Sequence, residues 1–260
     1  MSTWVLLRGL MREQRHWGDF PEQFRQALPQ AHIVTPDLPG NGSLHGQSSP
    51  ASVAALVDAC REQLRARGLS GPYCLLALSL GAMVAVEWGA RYPQEVSCCV
   101  LINTSMRPFN RFYRRLRWQN YPAIALQAVL GGVRRQESLI LRLTSNRRGQ
   151  DAALLQRWIG YQRDYPVRRA NALRQLAAAA RFNAPPSRPE QPLLVLAGGR
   201  DKLVDMRCSL ALAQAWNAEC RLHPDAGHDL PLDDGAWVAA QVAQWRAATS
   251  GKQDEKKPRP

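Results

Sequence analysis

The chain has 260 residues, 45% hydrophobic and 21% charged, enough for one large domain with an insertion and incompatible with wholesale disorder. No stretch approaches the length of an apolar membrane span, and Met1-Ser2-Thr3-Trp4 brings no basic region to its short apolar run, so neither a transmembrane segment nor a signal peptide is expected and the reading is cytoplasmic. The six cysteines, with Cys98 and Cys99 adjacent, form neither a disulfide framework nor a CxxC metal pattern, which points to reduced thiols and no metal. The formal charge of +13 is concentrated in one place: Arg107–Arg181 holds 16 arginines, no lysine and three acids, Glu137, Asp151 and Asp164, and the rest of the chain is neutral.

In chain order, Trp4-Val5-Leu6-Leu7 reads as a short strand ended by Arg8-Gly9. Phe20, Phe24 and Leu28 then recur at helical spacing, and His32–Thr35 reads as a second strand. Ser52–Arg67 is an amphipathic helix, with Val53, Leu56, Val57, Cys60 and Leu64 on one face and Gly68 as its stop. Tyr73–Leu78 is a continuous apolar strand that runs directly into a helix over Leu80–Arg91, and Val96–Ile102 is a further buried strand. Apolar strands alternating with helices predict a parallel sheet covered on both faces.

The alternation stops at residue 107. Residues 107–181 contain no strand-like run; helices are expected over Ala123–Leu130, Glu137–Leu143, Ala152–Tyr161 and Ala170–Arg181. The Pro-rich stretch 184–189 reads as a linker. Strand Leu193–Ala197, helix Leu210–Trp216, strand Ala218–His223 and helix Gly235–Ala248 resume the α/β pattern. The expected organisation is a core of residues 1–106 and 182–249, an Arg-rich helical insertion at 107–181, and a disordered tail at 250–260.

The strongest chemical signal is Ala77-Leu78-Ser79-Leu80-Gly81, at a strand-to-helix junction. A serine on so sharp a turn has its hydroxyl exposed above the sheet, and only small residues fit two positions before and after it. A serine hydroxyl is a poor nucleophile at neutral pH without a base, and the base needs a group to orient it. Asp201 follows the strand Leu193–Ala197 in Gly198-Gly199-Arg200-Asp201, and His228 follows the last strand in Asp225-Ala226-Gly227-His228-Asp229. The chain order Ser, Asp, His is that of nucleophile-elbow enzymes. Asp205 is a nearby rival for the acid, and Asn103, at another strand end, cannot act as one. Asp225 and Asp229 are read as solvated or as holding the loop of His228. A developing oxyanion needs donors, which the N–H of Leu80 and the turn at Gly9-Leu10 would supply.

With Leu7-Arg8-Gly9 followed by Trp17 and Phe20, then Asp37-Leu38-Pro39-Gly40-Asn41-Gly42-Ser43, the Ser79 elbow, Gly198–Val204 and Gly227-His228, the chain resembles the α/β-hydrolase-fold proteins of the capped, serine esterase-like kind over about residues 4–246. The resemblance implies an α/β-hydrolase fold: a mostly parallel sheet of about six strands flanked by helices, with residues 107–181 as a helical cap. It implies Ser79 as nucleophile, His228 as base, Asp201 as acid, and the N–H groups of Leu10 and Leu80 as the oxyanion hole. It implies no cofactor. The sequence departs from the family's pattern at Arg8, where the family usually has His, and at Ala77, where it usually has Gly. With the first parallel strand so near residue 1, the antiparallel hairpin usual before it is not expected.

Arg8, Trp17, Trp118, Tyr121 and Trp158 are candidate substrate contacts, with packing the simpler role for the aromatic residues. His16, His32, His45 and His223 lack a catalytic context. The expected activity is cleavage of a small-molecule carboxylic ester through an acyl-enzyme. The Arg-rich insertion raises an alternative, ester or thioester substrates carried on an acidic acyl carrier protein or on coenzyme A, because guanidinium forks bind phosphate and carboxylate. A third reading is a non-catalytic anion-binding protein on a hydrolase fold that docks nucleic acid or an anionic membrane surface. No nucleic-acid motif is present, and no nucleic-acid partner is expected.

Overall fold

A computed structural model of the protein describes residues 2–254. Six strands form one sheet: β1 (Ser2–Leu7), β2 (Ala31–Val34), β3 (Tyr73–Leu78), β4 (Val96–Ile102), β5 (Leu193–Gly198) and β6 (Glu219–His223). Their order is β2-β1-β3-β4-β5-β6, and all five pairings are parallel. The sheet carries helices α1 (Phe20–Ala27), α2 (Val53–Ala66), α3 (Leu80–Arg91), α9 (Arg207–Ala215) and α10 (Leu230–Asp254).

Strand alternation explains the two-sided core. Val5, Leu7, Leu75, Ala77, Cys99, Leu101 and Val195 face the side covered by α2, α3 and α9. Their neighbours Trp4, Leu6, Leu76, Leu78, Val100, Ile102 and Leu196 face the side covered by α1 and α10. Both faces are dry, so the strands read as unbroken apolar runs rather than as alternating ones. Ser52 caps α2 by accepting the Ala55 N–H at 3.3 Å. All six cysteines are free, and five are buried.

Between β4 and β5 the chain leaves the sheet and forms α4 (Phe112–Arg115), α5 (Tyr121–Leu130), α6 (Val133–Thr144), α7 (Ala152–Asp164) and α8 (Arg169–Arg181). The expected helices lie within or across these, and α4 is an extra turn that its short Arg-rich sequence did not announce. This insert has a small core of its own, Leu141, Leu154 and Trp158, against which Leu232 of α10 packs. Helix α10 bends at Asp234 (φ −152°, ψ 73°), so the expected helix from Gly235 is its second limb. The backbone stays helical to Asp254, through the start of the expected tail; residues 255–260 lie outside the described residues.

Order β2-β1-β3 places the switch in sheet direction between β1 and β3. In open parallel sheets the crevice at the carboxyl ends of such strands is where ligands bind. The loop after β1 and the junction after β3 meet there.

Candidate active site

Ser79 closes β3 and opens α3 with φ 57° and ψ −114°, in the region where non-glycine residues are strained. In the run Tyr73–Met83 it is the one residue that is not buried. The small residues around it have physical causes. A Cβ on Gly81 would stand only 2.4 Å from the Leu7 carbonyl oxygen and 2.8 Å from that of Arg8. Both obstacles are backbone, so Gly81→Ala is expected to destabilise the fold by about 2 kcal/mol or more, read from urea melts. Ala77 is fully buried within β3. Ala77→Gly is expected to cost about 1–2 kcal/mol, from chain entropy and the loss of a buried methyl group.

Asp201 and His228 come together. His228 Nδ1 lies 2.7 Å from Asp201 Oδ2, and both residues are buried. A carboxylate can only accept, so Nδ1 carries the proton and Nε2 is left as a base. The other oxygen, Asp201 Oδ1, accepts the N–H groups of Leu203 at 2.7 Å and Val204 at 2.9 Å, which fixes the carboxylate plane. The rival acid, Asp205, is engaged elsewhere: the guanidinium of Arg207 holds it at 2.5 Å and keeps its pKa below the usual carboxylate value.

Leu80 N–H is one of the unpaired donors at the start of α3. In the loop after β1, the Met11 N–H goes to Gln175 Oε1 at 2.9 Å and that of Arg12 to the Gly9 carbonyl, leaving the Leu10 N–H without a partner among the described residues. The unusual turn expected at Gly9 sits instead at Met11, with φ 58°. Space at Gly9 is tight, since a Cβ there would lie 3.2 Å from the Cβ of Ser79.

Arg8 is not free to meet substrate. It forms a buried two-pronged pair with Asp229, at 2.5 and 3.2 Å, and its guanidinium stacks 4.7 Å over the ring of Trp17. The residue after β1 is thereby tied to the residue after His228, and Asp229 is a loop-holding group rather than a solvated one. Trp17 itself is buried against Phe20. Trp158 is buried in the insert with Arg12 over its ring at 4.7 Å. Trp118 and Tyr121 are solvent-exposed. Among the described residues none of these five side chains hydrogen-bonds to Ser79, Asp201 or His228.

Residues that sequence reasoning passed over position the histidine loop. Asn103, set aside because it cannot be an acid, adopts φ 45°, donates to the carbonyls of Gly227 (2.9 Å) and His228 (2.8 Å), and accepts the Gly198 N–H at 2.8 Å. It therefore joins the loops that carry both Asp201 and His228. Asp233, also buried, accepts the Gly227 N–H at 2.7 Å, Ser145 Oγ at 2.5 Å and the Asn146 N–H at 3.0 Å, so the insert is bolted to the same loop. The available signal was their position beside the motifs, and nothing in their spacing spelled out these bonds.

A second buried cluster underlies the insert. Arg12 donates to Glu137 of α6 at 2.8 Å and to His16 Nε2 at 3.0 Å. Burial, and then the charges of Arg12 and Arg8, push the His16 pKa well below the ordinary value. His16 is neutral in the fold but takes a proton in the unfolded chain below about pH 6.5. Its contribution to stability is thus present above that pH and is lost as pH falls. Lowering pH from 7.5 to 5.5 is expected to lower the melting temperature, and His16→Gln, which still accepts from Arg12, should flatten that part of the profile.

Residues 4–241 match the α/β hydrolase family, and the chain belongs to it. Among solved structures it is similar to Lip1 of Acinetobacter baumannii AYE, a lipase candidate (TM-score 0.77, 22% identity, 96% of this chain and 85% of that one). It is likewise similar to the bromoperoxidase candidate BpoC of Mycobacterium tuberculosis H37Rv (TM-score 0.76, 21% identity, 95% and 92%). A thermophilic esterase of Thermogutta terrifontis also superimposes (TM-score 0.71, 21% identity, 95% and 90%). At such identities these likenesses speak for the fold. One curated relative, an uncharacterized protein of Schizosaccharomyces pombe, is 28% identical over 95 residues, which spans 36% of this chain and only 18% of that protein. Among the described residues no helix is long and apolar enough to cross a membrane.

Proposed function

We propose that this family member is a serine hydrolase that cleaves carboxylic esters through Ser79, His228 and Asp201. The single observation that carries the reading is the buried 2.7 Å bond from His228 Nδ1 to Asp201 on a sheet whose β3 ends in a serine at φ 57°. In this mechanism His228 Nε2 takes the proton of Ser79 as its oxygen attacks the ester carbonyl. The N–H groups of Leu10 and Leu80 receive the negative charge that develops on the carbonyl oxygen. Collapse expels the alcohol, protonated by His228, and leaves an acyl-enzyme. Water, deprotonated by the same histidine, then releases the acid and restores the serine. Residues 107–181 act as a cap on a core of 1–106 and 182–249; the bonds of Asp233 and Glu137 across that division favour this assignment.

The esterase and lipase descriptions of similarly folded proteins fit this reading. The test is hydrolysis of a p-nitrophenyl ester series from acetate to palmitate. Turnover with a defined chain-length optimum is expected. Absence of turnover across the series would overturn the ester reading.

A further inference from the structure

Helix α5, Tyr-Pro-Ala-Ile-Ala-Leu-Gln-Ala-Val-Leu, is apolar on every side apart from Gln127. A helix apolar all round belongs in a core. This one is exposed: Val129 is 81% accessible, Leu126 58% and Leu130 56%, and just before the helix Phe112 is 75% and Trp118 60% accessible. Its principal packing partners are its own chain neighbours, the turn at 118–120 and α6. The single polar side chain turns back to the Gly132 carbonyl at 3.1 Å.

The charge along the flanking sequence is of one sign. From Val96 to Gln136 the sequence contains no carboxylate and seven arginines. Arg111, Arg114 and Arg117 precede the helix and Arg134 and Arg135 follow it; among the described residues none of the five has a carboxylate partner. Elsewhere in the insert, among the described residues, only Arg147 and Arg148 are ion-paired. The insert's three acids are already engaged, Glu137 with Arg12, Asp151 with Arg148 and Asp164 with Arg15.

We propose that α5 and its flanking arginines form a docking surface for an anionic phospholipid bilayer. Leu126, Val129 and Leu130 would enter the acyl boundary, Trp118 and Tyr121 would sit at headgroup level, and the arginines would meet lipid phosphates. Charge complementarity selects this occupant over a second copy. A two-fold contact through α5 sets one arginine collar against another, and the segment has no acid to answer it.

The experiment is vesicle flotation of the full chain at physiological salt, with phosphatidylcholine alone or mixed with phosphatidylglycerol. The wild type is expected to float with the anionic vesicles, poorly with the neutral ones, and less at high salt. Arg134→Gln/Arg135→Gln should weaken binding roughly 30-fold. Leu126→Asp/Val129→Asp should abolish it with an unchanged melting temperature, since both side chains are largely exposed. Ser79→Ala should bind as the wild type does, which separates this surface from the hydrolase reading. Equal flotation with both vesicle types, full binding by Leu126→Asp/Val129→Asp, or a wild-type dimer in sedimentation that this variant dissociates would each overturn the proposal.

Discussion

Replacing Ser79 with alanine is expected to lower kcat/KM on p-nitrophenyl esters by about three orders of magnitude or more, at an unchanged melting temperature. The two expectations separate chemistry from folding. The serine is tied into the fold through its backbone: its N–H donates to the Ile102 carbonyl, and its own carbonyl accepts from the Ala82 N–H and Thr104 Oγ1. Its hydroxyl is not used to hold the elbow, so removing that oxygen leaves the turn intact. Asp201→Asn should cost a comparable factor for another reason. An amide can donate to Nδ1, which would shift the imidazole proton to Nε2 and remove the base. Asp205→Asn is the control. It removes the pair with Arg207, and its effect on kcat is expected to stay within a few-fold.

The largest stability effect is expected at the pair of Arg12 and Glu137. Both are buried, Glu137 with no exposure at all, and each keeps one polar atom without a partner among the described residues, Arg12 Nη2 and Glu137 Oε1. Burying two charges is costly, and their attraction offsets that cost only while both are present. Glu137→Leu alone strands a guanidinium beside His16 and Trp158, and Arg12→Met alone strands a carboxylate. Each single change is expected to destabilise by about 3–5 kcal/mol in urea melts. The double variant Arg12→Met/Glu137→Leu should recover most of that loss, because it leaves two apolar groups of similar size facing each other. Independent, additive losses in the double variant would show that the pair is not coupled.

Much of the fold was legible because both faces of the sheet are dry. Leu75-Leu76-Ala77-Leu78 could hardly be anything but a central strand, and Ser79-Leu80-Gly81 could then only be a junction. The bond between Asp201 and His228 was foreshadowed in the same way, since each residue lies in the loop that follows a strand. The turn at Met11 was not legible: a positive φ at a bulky residue is imposed by tertiary bonds, here from Gln175 of α8, 164 positions away. The partners of Arg8 were hidden in the same way, because nothing local announces that residue 8 meets residue 229. Trp118 and Tyr121 read as pocket or core residues by composition, and the finding that they face solvent comes only with the packing of the insert.

The most direct test of the central claim is covalent labelling of the native enzyme with a fluorophosphonate, followed by peptide mass mapping. An activated serine attacks such a reagent, whereas an ordinary hydroxyl does not. One adduct is expected, on the peptide containing Ser79, lost in His228→Asn. An unlabelled protein, or an adduct on any other residue, would contradict it.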